Sequence, residues 1–277
     1  MCIAVFLWQA HPLYPLLVLH NRDEYHNRPT AAVEWWGGSC EEMEVLGGRD
    51  GVAGGTWLAC SRGGRVAFLT NVLELHPFRN ARPRGELPVL FLQSSKSPKE
   101  FAEGLVKEAH HYNGFNLILS DIPSNTMVYI SNRPKGEAVV FQDVSPGLHV
   151  LSNGKLNCGW PKSQKLRRGF KEQLLKYGDG EVHLKEIAKK LMTDTVKADK
   201  KKLPGICAVE WELALSSIFV EVDTPLGWCG TRSTIALTVG RNGEVCFDET
   251  YLEDGTWKEK TTNYQIKNLR QLNKLLC

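Results

Sequence analysis

The sequence predicts a layered α+β fold. Strand-like segments come first, helical segments follow, and strand-like segments return near the end of the 277-residue chain. This order differs from the regular β-α-β-α alternation of a doubly wound parallel sheet. The sequence also lacks the glycine-rich phosphate loops of nucleotide-binding folds and the Gly-x-Ser-x-Gly elbow of the α/β-hydrolases. A layered α+β domain is therefore expected.

Two short apolar strands are predicted at the start of the chain, over residues 2–8 and 16–20, with Pro12 and Pro15 between them. Their nearly continuous apolar character indicates burial on both faces. Further strands are predicted at 56–60, 65–69, 115–119, 127–130, 138–141, 148–151, 233–239 and 244–250.

Three helices are predicted from start signals and apolar stripes. The first begins at Ser97, where a serine N-cap, a proline at the first helical position and Glu100 form a capping box. The others are expected at 161–175 and 183–192. The lysine-rich segment 197–204 is expected to be a solvated loop or linker.

Composition excludes several classes of protein. Thirty-four basic and 31 acidic side chains leave a net charge of +3, which argues against a nucleic-acid-binding protein with a concentrated basic face. With 42% hydrophobic and 23% charged residues, the chain has the composition of a folded globular protein. No basic leader with a cleavage site and no apolar run of 18 residues is present, so no signal peptide and no membrane span are expected.

The eight cysteines are scattered singly and form no Cys-x-x-Cys pair. No zinc or other metal site is therefore predicted, and reduced thiols in a cytosol-like compartment are expected. Cys2 differs from the others because it follows the initiator methionine directly.

Removal of Met1 would give Cys2 a thiol and a free α-amine on one residue. The amine has an ordinary pKa of about 8 and can accept the thiol proton. A site of this kind needs a carboxylate to hold the amine and donors to stabilise an oxyanion. The alternative is that Cys2 is a small apolar residue buried at the start of a strand.

A polar cluster, Asn21-Arg22-Asp23-Glu24, directly follows the second predicted strand. It is either a solvated strand exit or the rim of a site. Trp35 and Trp36 follow within fifteen residues and either form an aromatic wall beside the cluster or pack in the core.

Several motifs along the chain together resemble the NRDE family, also called the transport and Golgi organisation protein 2 family. The resemblance extends from residue 1 to about residue 265 and implies a single domain over 1–277. The motifs are Met1-Cys2-Ile3, Asn21-Arg22-Asp23-Glu24 with Arg28-Pro29, Gly54-Gly55-Thr56-Trp57-Leu58, Leu69-Thr70-Asn71, Arg84-Gly85-Glu86-Leu87, Tyr112-Asn113-Gly114-Phe115-Asn116-Leu117, Leu151-Ser152-Asn153 and Gly230-Thr231-Arg232-Ser233.

This family resembles the N-terminal-nucleophile hydrolases, which implies a four-layer αββα sandwich. The resemblance to their cysteine members implies a catalytic set in which Asp23 orients the Cys2 amine, the two asparagines donate to the oxyanion or the amine, and the arginine favours the thiolate. One position departs from those hydrolases: His20 stands where they carry an arginine, three residues before the aspartate. The implied catalytic residues are Cys2, Asp23, Asn71, Asn153 and Arg232.

The resemblance also implies two hypotheses about function. The first is a carrier of a hydrophobic ligand, haem or acyl-coenzyme A, serving haem mobilisation and lipid homeostasis in the cytoplasm, mitochondrion or Golgi. The second is a cysteine amidase or thioesterase acting through Cys2. No cofactor is required, peripheral membrane association is compatible, and the oligomeric state stays open. Candidate ligand-binding residues are Asn21, Arg22, Asp23, Glu24 and Arg28, with Arg79, Arg82 and Arg84 as further cations.

Overall fold

The computed structural model describes residues 2–38, 41–225 and 227–267. Met1, on whose removal the nucleophile hypothesis depends, lies outside these ranges. The strands are β1 (Ile3–Trp8), β2 (Leu16–Tyr25), β3 (Thr30–Trp36), β4 (Val45–Asp50), β5 (Leu58–Ser61), β6 (Arg65–Asn71), β7 (Phe115–Asp121), β8 (Thr126–Ser131), β9 (Val140–Asp143), β10 (Gly147–Leu151), β11 (Glu221–Thr224), β12 (Gly227–Val239), β13 (Glu244–Glu253) and β14 (Thr256–Gln265). The α-helices are α1 (Glu86–Leu92), α2 (Pro98–Glu108), α3 (Pro161–Tyr177), α4 (Leu184–Leu191) and α5 (Val209–Ala214).

The strands of the described residues form two antiparallel sheets. The first has the order β10-β1-β2-β12-β13-β14, with β11 paired to β12. The N-terminal hairpin β1–β2 therefore lies at the centre of this sheet, beside a strand that comes more than 200 residues later. The second sheet runs from β3 to β9 in sequence order, so that each strand pairs with the next.

Three apolar clusters hold these elements together. One combines residues of both sheets, such as Phe6 and Phe68, and lies between them. The second combines α1 and α2 with the second sheet. The third combines α3 and α4 with β1 and β2 of the first sheet. The chain therefore has a mixed α/β fold in which sheets pack on each other and helices pack on sheets.

The three predicted helices are confirmed. The Ser97 hydroxyl accepts a hydrogen bond from the Glu100 backbone N–H, and the Glu100 carboxylate accepts one from the Ser97 N–H, which completes the capping box. α3 and α4 match their predicted ranges to within two residues at each end. The segment 197–204 contains a short 3-10 turn, Lys200–Lys202.

The second strand is longer than the sequence predicted. β2 does not end at His20 but continues to Tyr25, because β12 pairs with it as far as Cys229 opposite Tyr25. The polar cluster 21–24 is therefore part of a strand, and not a strand exit. Since successive strand residues point to opposite faces, its four side chains divide between two sides of the sheet.

Candidate functional site

Cys2 lies directly beside Asp23. The β1–β2 ladder pairs Ile3 with Asn21, which brings the residue before β1 to the polar end of β2. The Asp23 backbone N–H donates a hydrogen bond to Cys2 Sγ at 3.4 Å. Cys2 is only 1% exposed. The candidate nucleophile and the candidate carboxylate residue are thus in contact, although 21 residues separate them.

The thiol is held in its protonated form. Burial raises the pKa of Cys2 to about 11, and the negative charge of Asp23 acts in the same direction. An ordinary cysteine has a pKa near 8.5, and the thiolate is the form that attacks. Reaction at Cys2 therefore requires a proton acceptor or an additional positive charge close to the thiol.

A threonine of β12 fixes the Asp23 carboxylate. Thr231 Oγ1 donates to Asp23 Oδ1 at 2.7 Å and accepts a hydrogen bond from the Val220 backbone N–H at 3.0 Å. All three residues are buried. The carboxylate is thereby held on the face of β2 that packs against α3 and α4, next to the start of β1.

The two candidate asparagines also contact each other. The Asn153 side-chain amide donates to the Asn71 backbone carbonyl. Because a carbonyl only accepts hydrogen bonds, the side-chain atom of Asn153 that faces Asn71 must be the amide nitrogen. The Asn153 Oδ1 atom therefore points away from Asn71, and it is buried without a hydrogen-bond partner among the described residues. Donation by Asn153 to an oxyanion would require its bond to Asn71 to be exchanged.

The loop that carries Asn153 is tied to Cys2. The Ser152 hydroxyl donates to the Cys2 backbone carbonyl at 3.2 Å. The Ser152 carbonyl in turn accepts from Thr70 and from Asn116, the latter at 3.0 Å. These bonds connect the end of β10 to β1 and to the second sheet, and they fix the asparagine pair relative to the nucleophile.

Arg232 braces the turn between β2 and β3. It lies at an irregularity of β12 between Thr231 and Ser233, and its guanidinium donates to the backbone carbonyls of Tyr25, at 3.1 Å, and Arg28. Burial is the main cause that lowers its pKa. Arg232 is therefore the next residue after Thr231, which holds Asp23. The described hydrogen bonds of the Arg232 guanidinium are to backbone carbonyls of the turn, and not to Cys2 or Asp23.

The side chains of the polar cluster 21–24 lie on two faces of β2. Asn21 donates to the carbonyls of Met192 and Ile218, at 2.8 and 3.1 Å, on the helix-facing side of β2. Arg22 and Glu24 lie on the opposite face, toward the second sheet. Glu24 lies 3.8 Å from the Arg28 guanidinium.

Three of the candidate cations line one polar pocket of about 290 Å³. Arg28 is held by a bidentate pair with Asp50, at 2.9 and 2.6 Å. The loop with Arg82 and Arg84 packs closely against the segment before β5. The Thr56 N–H donates to the Gly85 carbonyl at 2.9 Å. A Cβ on Gly55 would lie 2.4 Å from the Gly85 backbone, so this close contact requires a glycine there. The pocket is lined by Arg28, Arg82, Arg84, Glu24, Asp50, Trp57, Asn71 and Asn113, among others.

A second pocket of about 530 Å³ lies on the other side of the asparagine pair. Asn153 lines this pocket, whereas Asn71 lines the polar one. Apolar side chains of Val72, Leu73, Leu75, Pro134 and Ile206 form much of its walls. Charged side chains of Glu74, Arg133, Lys135 and Lys155 and the polar His76, Asn116 and Ser131 also line it. Two pockets of different chemistry therefore meet at Asn71 and Asn153.

His20 is fully buried and uncharged. A backbone group of Leu69 lies close enough to the ring to offset part of the effect of burial, but neither ring nitrogen makes a well-formed hydrogen bond among the described residues. Burial lowers the pKa of His20 to about 4. The position at which the resembling hydrolases carry an arginine thus holds a neutral ring here, packed edge-on toward Phe68 with the ring centroids 6.5 Å apart.

We expect His20 to make stability pH-dependent. Its pKa falls from 6.5 in the unfolded chain to about 4 in the folded protein, so the unfolded state binds more protons between these values. Stability then falls as the pH drops through this window, by about 3 kcal/mol at about 1.4 kcal/mol per pKa unit. Denaturant unfolding of wild type and His20→Leu at pH 7.5, 5.5 and 4.5 measures it. Parallel stability curves for the two proteins would contradict this account.

Histidines that could ligate haem occupy different surroundings. Both ring nitrogens of His149 are engaged, Nε2 with the Ser145 carbonyl at 2.8 Å and Nδ1 with Asn157 at 3.0 Å. His76 is exposed at the wall of the apolar pocket. Among the described residues, no group of three or more His, Cys, Asp or Glu side chains is placed to hold a metal ion. The helices described are all too short or too polar to cross a membrane.

Sequence reasoning missed several residues that build the site. Thr231 lies beside the predicted Arg232, and the alternation of strand side chains could have separated their roles. Ser152 lies beside the predicted Asn153 in the same way. Lys162, buried at the start of α3, gave no signal because a lysine in a helix is ordinarily exposed.

Several known proteins are similar to this chain along most of its length. The chain is 32% identical to the transport and Golgi organization protein 2 homolog of Bos taurus, over 97% of this chain and all of that one. It is 30% identical to the homolog of Mus musculus, over 96% and 99% of the two chains. Two structures of the conjugated bile acid hydrolase of Clostridium perfringens share the fold, with TM-scores of 0.50 and 0.53 at 11% and 10% identity, over 95% and 94% of this chain and 96% of each of theirs.

The family model described as Transport and Golgi organisation 2 matches residues 1–254. The resemblance seen in the sequence is confirmed, and the solved structures that share the fold are hydrolases of the N-terminal-nucleophile type. This chain belongs to the Transport and Golgi organisation 2 family.

Proposed function

We propose that the chain is a single domain over 1–277 with the four-layer αββα architecture of N-terminal-nucleophile hydrolases. The three apolar clusters support this arrangement, because one lies between the sheets and each of the others joins a pair of helices to one sheet. On this fold, we propose, the protein is a cysteine hydrolase that cleaves acyl thioester or amide bonds through Cys2. The contact of Cys2 Sγ with Asp23, whose carboxylate Thr231 holds, carries the proposal.

The reaction follows the chemistry of an N-terminal nucleophile. After loss of Met1, the Cys2 amine takes the thiol proton while Asp23 holds the amine. The thiolate attacks the carbonyl carbon, the C–S or C–N bond breaks, and the leaving thiol or amine carries the proton away. Water then hydrolyses the acyl-enzyme, which releases a carboxylic acid and restores the thiol. Asn153 stabilises the oxyanion by exchanging its bond to Asn71 for one to the substrate.

The two pockets favour an acyl thioester of coenzyme A as the substrate class. Three arginines line the polar pocket against two carboxylates, Glu24 and Asp50, and this excess of positive charge suits phosphate groups. The apolar side chains of the second pocket suit an acyl chain. The scissile carbonyl would lie near Asn71 and Asn153, where the pockets meet. An N-acyl amide is the alternative, because the same thiolate attack opens a C–N bond.

Hydrolysis assays test this function. We expect protein whose intact mass shows the loss of Met1 to hydrolyse long-chain acyl-coenzyme A or an N-acyl amide, and Cys2→Ala to lose this activity entirely. Arg84→Gln should raise KM for acyl-coenzyme A by roughly 10- to 150-fold, since a charge-assisted hydrogen bond contributes about 1.5–3 kcal/mol. Arg168→Gln, at an exposed arginine of α3, is the matched control. Equal rates in wild type and Cys2→Ala would contradict the proposal.

The carrier hypothesis is the second candidate, and the enclosed thiol favours it. While the pKa of Cys2 stays near 11, the two pockets can bind a ligand without cleaving it. Visible-band titration with haem, in wild type and His76→Ala, and acyl-coenzyme A binding to wild type, Arg28→Gln and Arg84→Gln test it. Absence of saturable binding of either ligand would contradict it.

We propose a cytoplasmic location with association at mitochondria or Golgi, which cell fractionation would test.

A further inference from the structure

Lys162 is a buried lysine at the start of α3. Pro161 is the first residue of the helix, and Lys162, the second, is only 4% exposed. Its Nζ donates to the Leu215 backbone carbonyl at 3.1 Å. A buried ammonium is destabilising unless negative groups compensate it, so its surroundings indicate what it does.

The loop 215–220, between α5 and β11, connects Lys162 to the face of β2 that carries Asp23. The loop's Leu215 carbonyl accepts from Lys162, and its Ile218 carbonyl accepts from Asn21. Farther along, the Val220 N–H donates to Thr231, which holds the Asp23 carboxylate. Lys162 therefore lies on the helix-facing side of β2, with Asn21 and Asp23.

Charges at the site link Lys162 to the nucleophile. Burial lowers the pKa of Lys162, and Asp23 is the strongest of the negative groups that raise it, followed by Cys2. In turn, Asp23 raises the pKa of Cys2. A thiolate beside the Asp23 carboxylate places two negative charges together in a buried site, so its formation depends on the cations close to them, which are the Cys2 amine once it is protonated and Lys162.

We propose that Lys162 is a positioning residue for Cys2, whose ammonium offsets the negative charge of Asp23 and so allows a thiolate to form beside that carboxylate after Met1 is removed. The inference rests on the proposed function, because it assigns a role around the Cys2 nucleophile. It does not depend on which acyl substrate is cleaved.

The pH dependence of Cys2 alkylation tests this role. Protein that has lost Met1 is treated with iodoacetamide between pH 5 and 10, and modification of the Cys2 peptide is followed by mass spectrometry. Lys162→Gln removes the charge while its amide can still donate to Leu215. We expect it to raise the midpoint by one pH unit or more, which slows alkylation at pH 7 about tenfold. Lys162→Arg should restore the wild-type midpoint, and Lys165→Gln, one turn along α3, should not change it.

Three outcomes would overturn the inference. A Lys162→Gln midpoint equal to wild type, in a variant with a wild-type melting curve, shows that the ammonium does not act on Cys2. A Lys162→Arg midpoint as high as that of Lys162→Gln shows that the charge is not what matters. A wild-type midpoint above 9, which needs no variant to fold, shows that no cation supports the thiolate. If Cys2→Ala hydrolyses substrate at the wild-type rate, the proposed function fails whatever the alkylation shows.

Discussion

Asp23→Asn is expected to slow acylation of Cys2 by a hundredfold or more. The carboxylate is fixed by Thr231 at 2.7 Å and lies beside the start of β1, where the new α-amine would form. An asparagine fits the same space but carries no negative charge, so it holds an ammonium more weakly and orients the amine less well for proton transfer. Positioned proton transfer contributes roughly 10²–10⁴-fold to rate. Single-turnover acylation of Met1-free protein, followed by mass, measures the effect.

A matched pair of variants separates this effect from a general loss of charge. Thr231→Val removes the hydrogen bond to Asp23 and should slow acylation in the same direction by a smaller factor. Asp223→Asn changes an exposed aspartate of β11 and should leave the rate unchanged. If Asp23→Asn acylates as fast as Asp223→Asn, Asp23 does not orient the amine.

Glu249→Ala is expected to destabilise the protein by about 3–5 kcal/mol. Glu249 of β13 is fully buried, accepts from the Val33 backbone N–H of the second sheet at 2.5 Å and from Ser233, and lies 3.9 Å from the buried guanidinium of Arg22. Its removal leaves Arg22 without this counter-charge and Val33 without its acceptor. Breaking one side of a buried ion pair has a cost of this size.

Thermal and denaturant unfolding measure this loss. For a chain of this length we expect the Tm to fall by roughly 10 °C. Glu253→Ala, on the same strand, is the control, because Glu253 pairs with Lys258 at the surface and an exposed pair contributes at most about 1 kcal/mol. Equal effects of the two substitutions would show that Glu249 does not join the sheets.

Helices with local start signals could be predicted from the sequence, whereas several strands could not. The capping box at Ser97 and the apolar stripe of α4 depend on neighbouring residues alone. β14, in contrast, is almost entirely polar and exposed, and it is a strand because β13 pairs with it along its length. α1 was missed because it is short and contains Pro88.

The candidate site was predictable only in part for the same reason. Sequence motifs predicted Cys2 and Asp23 as site residues, and the contact between them supports their acting together. Thr231, which holds the Asp23 carboxylate, lies on β12, and the buried Lys162 lies on α3. The folded chain brings these two distant segments to the end of β2, and no local pattern in the sequence indicates this. The polar cluster 21–24 was expected to act together, but the alternation of strand side chains divides it between two faces.

In the proposed reaction, Cys2 becomes a nucleophile once Met1 is removed. The intact mass of the protein before and after incubation with a long-chain acyl-coenzyme A, followed by peptide mapping, tests this step. We expect a protein without Met1 that gains one acyl group, located on Cys2 and absent from Cys2→Ala. Retention of Met1, or an adduct that persists in Cys2→Ala, would contradict it.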